Sequence, residues 1–310
     1  MPVVLGRSTR TIALVALAGA VLVGCGSAST AGNAGATTGP SAAASTTAPA
    51  PVDFIAEFDE LEARYDATLG VFAVDTGTGV EVEWRADDRF AYASTIKALA
   101  AAAALGRFGI DGMQQPVAIA SSDLVSYSPV TETRVGGSMT LAEIADAAVT
   151  LSDNTAGNYL FEALGGPGEL DRALAVLGDD TTTVSRIEPQ LNEAAPGDER
   201  DTSTPRAMAG SLREYVLGDA LPEAERAQLT EWLVASQTGG SLVGADLPGD
   251  WTIGDKSGAG GFGTRNDIAV VWPSTGEAIV IAVMSTRGVE GAEYDDRLVA
   301  EAAAIAVGAL

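Results

Sequence analysis

Ser94-Thr95-Ile96-Lys97 is followed by eight apolar residues, Ala-Leu-Ala-Ala-Ala-Ala-Ala-Leu, at 98–105. A helix that is apolar all round is typical of the centre of a domain, so this stretch predicts a buried helix. Residues three apart on a helix share one face, which lets the Ser94 hydroxyl meet the Lys97 amine. Burial lowers the pKa of a lysine and would make Lys97 a proton acceptor for Ser94. The alternative is that Ser94 only caps the helix and Lys97 extends into water.

The other lysine of the chain has an equally distinctive setting. Sixteen of the 18 basic residues are arginine, and only Lys97 and Lys256 are lysine. Arginine keeps its proton in proteins whereas a buried lysine can release it, so both positions are candidates for chemistry. Lys256-Ser257-Gly258 precedes the turn Ala259-Gly260-Gly261, and these small residues leave room for a ligand beside a fixed positive charge. The alternative is an edge-strand lysine that discourages aggregation.

Composition excludes several classes of protein. The chain has 310 residues, with 42 Asp+Glu against 18 Lys+Arg and a net charge of −24. Such an acidic surface repels phosphate backbones, which argues against nucleic-acid binding. The absence of histidine removes Ser-His-Asp triads, Cys-His pairs and His-ligated zinc. The single cysteine, Cys25, excludes an intrachain disulfide and a cysteine metal cluster.

The N-terminal segment predicts export. Arg7 and Arg10 precede an apolar stretch at 11–23 that is too short to span a membrane, and Cys25 follows it in Leu-Val-Gly-Cys. This pattern resembles a bacterial lipoprotein signal and predicts a lipid anchor on the outer face of the cytoplasmic membrane; the alternative is an ordinary secretory signal. Residues 26–52 are uncharged and rich in Ser, Thr, Ala, Gly and Pro, which predicts a flexible linker before a folded domain at 53–310.

Hydrophobic patterning predicts an α+β fold. Phe54, Phe58, Leu61 and Tyr65 recur at helical spacing and open the domain with an amphipathic helix. Helical patterns fill most of a lobe at about 85–237. The predicted strands lie near both ends, at 70–75, 80–84, 251–256, 264–272 and 278–284, before a closing helix at about 294–306. Short connections predict one antiparallel five-stranded sheet flanked by helices and built from both chain ends, with an all-α lobe inserted.

Two further motifs stand between the lysines. Ser152-Asp153-Asn154 follows a helix that Thr140-x-x-Glu143 is expected to cap, and Glu188-Pro189-Gln190-Leu191-Asn192 comes later. The order Ser-x-x-Lys, Ser-Asp-Asn, Glu-x-x-Leu-Asn and Lys-Ser-Gly resembles the motif set of class A serine β-lactamases. The resemblance covers residues 53–310. It implies that family's fold and the hydrolysis of β-lactam antibiotics, with no metal or cofactor.

The resemblance also implies a role for each matching residue. Ser94 is similar to the nucleophile that opens the lactam ring and becomes acylated, and either Lys97 or Glu188 takes its proton. Ser152 would pass a proton to the leaving nitrogen, and the backbone amides of Ser94 and Ala259 would form the oxyanion hole. The implied substrate-binding residues are Tyr127, Asn154, Lys256, Ser257, Gly258 and Arg265.

Glu188 distinguishes an enzyme that hydrolyses its acyl intermediate repeatedly from a protein that is acylated once and stays so. A carboxylate near the ester can act as the general base that deacylates the enzyme. Glu188 and Asn192 would together bind the water molecule that attacks the ester. The stretch 186–201 has the length of an Ω-loop. The resemblance implies that an Arg186–Asp201 ion pair closes this loop and that a cis peptide bond precedes Pro189.

Two other functions compete with hydrolysis. A penicillin-binding D-Ala-D-Ala peptidase shares the Ser-x-x-Lys and Lys-[Ser/Thr]-Gly motifs but stays acylated. A non-catalytic β-lactam sensor or binding lipoprotein need not keep a deacylating carboxylate. Glu188 and Asn192 argue against both. The substrate spectrum and the inhibition by clavulanate-type compounds stay open, and a monomer is expected.

Other residues have structural interpretations. The four tryptophans are expected to pack in the core or between lobes: Trp84, Trp232, Trp251 and Trp272. Asp295 and Asp296 are expected to begin the closing helix. Asp296 is a further candidate for pairing with Arg265 at the pocket rim.

Overall fold

The computed structural model describes residues 54–310, so the predicted signal segment, Cys25 and the predicted linker lie outside the described residues. The helices of this part are α1 (Phe54–Tyr65), α2 (Ile96–Gly112), α3 (Leu141–Thr150), α4 (Asn154–Leu164), α5 (Pro167–Val176), α6 (Pro205–Val216), α7 (Glu223–Val234) and α8 (Asp296–Gly308). Its strands are β1 (Thr68–Asp75), β2 (Glu81–Trp84), β3 (Phe90–Ala91), β4 (Pro116–Ala118), β5 (Ser138–Thr140), β6 (Thr202–Ser203), β7 (Thr252–Gly260), β8 (Thr264–Trp272) and β9 (Ile279–Thr286).

One antiparallel sheet joins the two ends of the domain. Its strand order is β2-β1-β9-β8-β7, so the N-terminal hairpin pairs with the C-terminal strands through β1 and β9. This confirms the predicted α+β fold and its five-stranded sheet. β7 extends past the predicted end at Lys256 because its pairing with β8 continues to Gly260, which lies opposite Thr264.

Alternating side chains of the sheet belong to two separate apolar layers. On β1, Val71 belongs to the layer that packs against α1 and α8, and Phe72 belongs to the layer on the opposite side. Successive residues of a strand point to opposite faces, so a strand that is apolar throughout must be covered on both. α6 covers the second face, where it contacts β1, β8 and β9.

The helical lobe is organised around α2. The eight residues 98–105 that predicted a buried helix are all buried, and α2 contacts α3, α4, α5, α6 and α7. The run of alanines leaves little side-chain bulk, so neighbouring helices can approach closely. Within residues 54–310, no helix combines the length and apolarity needed to cross a membrane.

The helix starts confirm two sequence signals. Thr140 and Glu143 form a capping box at the start of α3, with the Glu143 amide donating to Thr140 Oγ1 at 3.1 Å. Asp295 caps α8 by accepting the Arg297 amide at 2.9 Å. Each cap satisfies backbone donors that the first turn of a helix leaves unpaired.

The sequence did not predict the two small ribbons of the lobe. β3 pairs with β6 over two residue pairs, and β4 pairs with β5 over three. Strands this short carry too few side chains to show an alternating pattern. The tryptophans confirm the expected packing: Trp232 is buried in the layer around α2, Trp272 packs against it, and Trp84 and Trp251 pack against the layer around α8.

The α1 contact with the sheet gives a test of stability. Phe58 is fully buried, with its ring centroid 5.9 Å from that of Trp84, whereas Ile55 on the same helix is 52% exposed. We expect Phe58→Ala to lower the free energy of unfolding by about 3–5 kcal/mol, because it leaves a cavity in a packed layer. The matched control Ile55→Ala should change it by less than about 0.5 kcal/mol. Urea unfolding followed by circular dichroism measures both, and equal losses would contradict the packing described.

Candidate active site

A tight turn holds Ser94 at the junction of sheet and lobe. Ser94 lies in one turn of 3-10 helix, Ala93–Thr95, and α2 begins at Ile96. The helix therefore begins later than the sequence predicted, because the turn that carries Ser94 is wound more tightly than an α-helix. Asn266 on β8 anchors this segment by donating hydrogen bonds of 2.7 and 3.1 Å to the two backbone carbonyls that precede the turn.

Gly258 allows β7 to lie against the same turn. A β-carbon at this position would stand 2.8 Å from the Tyr92 carbonyl oxygen and 3.2 Å from the Ser94 amide nitrogen. Any side chain would therefore force β7 away from Ser94. Close packing of β7 against the Ser94 turn therefore requires glycine as the third residue of the Lys-Ser-Gly motif.

The Lys97 ammonium lies at the centre of the site and is fully buried. Its Nζ donates to Ser94 Oγ at 3.0 Å and lies 2.9 Å from Glu188 Oε1. Nζ also donates to Asn154 Oδ1 at 2.5 Å and to the Ser152 carbonyl oxygen at 2.9 Å. Residues of three motifs, Ser-x-x-Lys, Ser-Asp-Asn and Glu-x-x-Leu-Asn, therefore meet around one nitrogen.

Burial lowers the pKa of Lys97, while the nearby carboxylate of Glu188 opposes this shift. The environment thus moves the amine toward the neutral form, as the apolar run after Lys97 predicted. Gly157 on α4 makes room for the side chain, since a β-carbon there would stand 2.9 Å from Lys97 Cε.

The Glu188 carboxylate is held between the hydroxyl and an amide. Its Oε1 lies 3.4 Å from Ser94 Oγ, and its Oε2 accepts a 2.5 Å hydrogen bond from Asn192 Nδ2. Asn158 on α4 fixes the backbone on the other side: its Nδ2 donates to the Glu188 carbonyl at 3.0 Å, and its Oδ1 accepts the Glu188 amide at 2.8 Å. The position of the carboxylate is therefore determined from both the side chain and the main chain.

The loop that carries Glu188 closes as predicted. Arg186 and Asp201 form an ion pair, and Asp201 Oδ1 also accepts the Arg186 amide at 2.9 Å. The Tyr92 hydroxyl donates to the same oxygen at 3.0 Å, which ties the end of the loop to the segment before Ser94. The peptide bond between Glu188 and Pro189 is cis, which confirms that expectation.

The Ser152-Asp153-Asn154 segment is fixed by its central aspartate. Asp153 Oδ1 accepts the Ala156 amide at 2.8 Å and so caps α4, while Oδ2 accepts two further backbone amides at 2.9 Å. Ser152 has a left-handed φ of 58°, a conformation that side chains rarely adopt outside constrained sites. Asn154 Nδ2 donates to the Ser126 carbonyl at 2.8 Å, which orients Oδ1 toward Lys97.

A cleft of about 510 Å³ opens above these groups. Its volume is typical of sites for small molecules. The sequence-predicted residues that line it are Ser94, Tyr127, Ser152, Asn154, Asn192, Ser257, Gly258, Ala259 and Arg265. Lys97 and Glu188 lie buried beneath its floor.

Lys256 is likewise buried, under the β7 side of the cleft. Its Nζ donates to the Ser257 carbonyl at 2.8 Å, and the Ser257 hydroxyl donates to Thr238 Oγ1 at 2.8 Å. Burial and, next, the positive charge of Lys97 lower the pKa of Lys256 to about 7. The charge of this lysine therefore changes near neutral pH.

Arg265 stands on β8 at the rim, and Asp296 pairs with it as expected. Arg265 Nε donates to Asp296 Oδ1 at 2.6 Å, while Asp296 Oδ2 accepts the Ser241 hydroxyl at 2.5 Å. The guanidinium also lies over the Tyr294 ring, 4.9 Å from its centroid. These contacts hold the Arg265 side chain in one orientation beside the cleft.

Sequence reasoning missed several residues of the site. Gln237, Thr238 and Tyr294 line the cleft but belong to no motif. Asn158 carried a usable signal, because it stands four residues after Asn154 on α4 and such residues share a helix face. Gly157 had none, since its contribution depends on the path of α2 beside it.

Comparisons with known proteins agree with this geometry. A family model described as "Beta-lactamase enzyme family" matches residues 53–310. A β-lactamase of Amycolatopsis lactamdurans is 53% identical over 254 residues, covering 82% of this chain and 84% of the relative. Beta-lactamase 1 of Bacillus cereus is 50% identical over 251 residues, covering 81% of this chain and 82% of the relative. A crystal structure of a class A β-lactamase from Clostridium kluyveri has a TM-score of 0.80 and 45% identity, covering 82% of this chain and 97% of that chain.

The similarity extends over the whole part of the chain that forms the sheet, the lobe and the cleft. The same domain contains the serine, lysine and glutamate motifs, and their side chains meet in a single buried cluster. The chain therefore belongs to the β-lactamase enzyme family, as a class A serine β-lactamase.

Proposed function

We propose that this enzyme opens the β-lactam ring of penicillins and cephalosporins with Ser94 and releases the product with water activated by Glu188. The observation that carries the proposal is the buried cluster in which Lys97 Nζ lies 3.0 Å from Ser94 Oγ and 2.9 Å from Glu188 Oε1. A hydroxyl, an amine and a carboxylate at these distances can pass one proton among them. Hydrolysis of these antibiotics gives resistance to them.

Acylation begins when Ser94 Oγ attacks the lactam carbonyl and loses its proton to Lys97 or Glu188. Both acceptors lie close to Oγ, and burial favours a neutral amine on Lys97. The backbone amides of Ser94 and Ala259 would donate to the developing oxyanion. The close approach of β7 to the Ser94 turn at Gly258 supports this role.

Breaking the ring leaves a nitrogen that needs a proton. We assign its delivery to Ser152, whose Oγ lies 3.5 Å from Lys97 Nζ and which lines the cleft. Lys97 can then replace the proton that Ser152 gives up. The proton that left Ser94 thus reaches the nitrogen through groups already in contact.

The β7 side of the cleft would bind the carboxylate that penicillins and cephalosporins carry. The Ser257 and Thr238 hydroxyls stand at the surface of the cleft, Lys256 supplies positive charge from beneath, and Arg265 adds charge at the rim. Tyr127 and Asn154 line the cleft from the helical lobe and would contact the substrate's acyl side chain. Together these groups would orient the lactam carbonyl toward Ser94.

Deacylation depends on Glu188 and Asn192. Glu188 is buried, hydrogen-bonded to Asn192 and within 3.4 Å of the Ser94 oxygen that would carry the acyl group. A water molecule held by these two side chains would stand beside the ester, where general-base catalysis contributes about 10²–10⁴-fold. A peptidase or sensor that stays acylated has no need of this arrangement, which favours hydrolysis over both alternatives.

Two substitutions separate acylation from deacylation. We expect Ser94→Ala to lower kcat on a chromogenic cephalosporin by about 10⁴-fold or more, because the nucleophile is gone. Glu188→Ala should slow deacylation by about 10²–10⁴-fold and leave an acyl-enzyme detectable by mass spectrometry after a burst. Fast acylation in this variant would identify Lys97 as the base for the first step.

The matched control is Glu199→Ala, which removes an exposed carboxylate from the same loop. It should leave kcat and the burst unchanged. A wild-type enzyme that gives only a stoichiometric burst would contradict the proposal and favour a peptidase or a sensor.

The pKa of Lys256 predicts how substrate binding changes with pH. Its pKa of about 7 lies below the ordinary value for lysine, so the free enzyme carries this charge below pH 7 and loses it above. We expect kcat/KM for an anionic β-lactam to fall as pH rises through about 7, mainly through a higher KM. Lys256→Arg keeps its charge and should flatten this limb. Measurements of kcat/KM at several pH values test this prediction. The same fall of kcat/KM above pH 7 in the wild type and in Lys256→Arg would contradict it.

We also propose that the protein is exported and that Cys25 carries a lipid anchor. The supporting observations are the basic residues, the short apolar stretch and the Leu-Val-Gly-Cys sequence before the uncharged segment. We expect full-length protein expressed in a bacterium to fractionate with membranes, and Cys25→Ser to abolish this association. Wild-type protein recovered wholly in the soluble fraction would contradict the lipid anchor.

A further inference from the structure

A second cavity adjoins the segment that carries Glu188. It has a volume of about 570 Å³ and is bounded by one face of α4, the start of α5 and the loop residues 187–190. It shares no lining residue with the substrate cleft. The catalytic cycle described above therefore leaves this cavity without a role.

The cavity is in direct contact with the residues that position the catalytic carboxylate. Glu188 and Asn158 both line it, and Asn158 holds the Glu188 backbone through hydrogen bonds of 3.0 and 2.8 Å. A molecule in the cavity would touch this pair of bonds without entering the substrate cleft. Movement of the backbone here also moves the carboxylate beneath the substrate.

The lining combines apolar surface with negative charge. Phe161, Pro167 and Ile187 contribute apolar surface, and Ile187 is 42% exposed although it is a large aliphatic side chain. Asp123 and Glu162 contribute carboxylates, and the lining, drawn from residues 54–310, contains no lysine or arginine. A complementary occupant is a small molecule with an apolar body and one positive charge.

We propose that this cavity binds small apolar cations and that occupancy slows the release of product from Ser94. The effect on turnover rests on the proposed function, because it acts through Glu188 as the base for deacylation. The ligand would disturb the Asn158–Glu188 hydrogen bonds while Ser94 and Lys97 stay in place. Deacylation should therefore slow more than acylation.

Benzyltrimethylammonium is a suitable probe because it joins one aromatic ring to one permanent charge. We expect calorimetry to give a Kd near 1 mM, on the order expected for a ligand of this size. With saturating probe, kcat on a deacylation-limited β-lactam should fall about fivefold or more, with a smaller fall in kcat/KM. The acyl-enzyme fraction seen by mass spectrometry should rise.

Three comparisons separate binding in the cavity from general attraction to an acidic surface. Glu162→Gln should weaken the probe about two- to fivefold and leave turnover without probe unchanged, since Glu162 lies outside the substrate cleft. Glu60→Gln removes an exposed carboxylate from α1, which contributes nothing to the cavity, and should leave Kd unchanged. Tetramethylammonium carries the charge without the ring and should bind more weakly.

Several results would overturn the proposal. Benzyltrimethylammonium should not fail to bind, and tetramethylammonium should not bind equally well. Equal effects of Glu162→Gln and Glu60→Gln on Kd would also contradict the proposal. Inhibition that raises only KM would place the probe in the substrate cleft instead. Binding without any change in kcat would refute the link to Glu188. Failure of the proposed function would be seen separately, as absent turnover without probe, while calorimetry still reports binding.

Discussion

Burying the Lys97 ammonium beside the Glu188 carboxylate is the constraint on which the rest of the structure depends. Both side chains are fully buried, and their charged atoms are 2.9 Å apart. Removing two charges from water costs several kcal/mol per ion, and the cost is recovered only when the remaining donors and acceptors are also paired. Ser94, Asn154, the Ser152 carbonyl and Asn192 supply those partners. The catalytic residues are thus also the ones that make the burial tolerable.

The sheet and the helical lobe bring these partners together from distant parts of the chain. The 3-10 turn at 93–95 carries Ser94, the buried first turn of α2 carries Lys97, and α4 begins with Asn154. β7 approaches the Ser94 turn only because Gly258 has no side chain. The Arg186–Asp201 ion pair closes the loop, and the Tyr92 hydroxyl hydrogen-bonds to Asp201. These contacts hold the loop that carries Glu188 next to Ser94 and Lys97. A polar network this dense is rigid, because each bond fixes a group that another bond needs.

The sequence predicted the sheet, the central helix and the motif residues because each had a local signature. The apolar run at 98–105 showed burial, the hairpin turns showed antiparallel pairing, and four ordered motifs showed the site. Thr238 and Tyr294 could not be found in this way, because their roles arise from packing between elements rather than from spacing along one. Asn158 was missed although it follows Asn154 by four residues on the same helix face. The turn at Ser94 and the extension of β7 to Gly260 were missed for a similar reason: tertiary contacts set both.

A crystal structure of the Glu188→Ala variant soaked with a penicillin tests the central claim most directly. The account predicts continuous density for an ester between Ser94 Oγ and the former lactam carbonyl carbon. The carbonyl oxygen of this ester should lie within hydrogen-bond distance of the Ser94 and Ala259 amides, and Lys97 should stay beside Ser94. An acyl group on a residue other than Ser94, or an ester whose carbonyl oxygen lies away from the Ser94 and Ala259 amides, would contradict it.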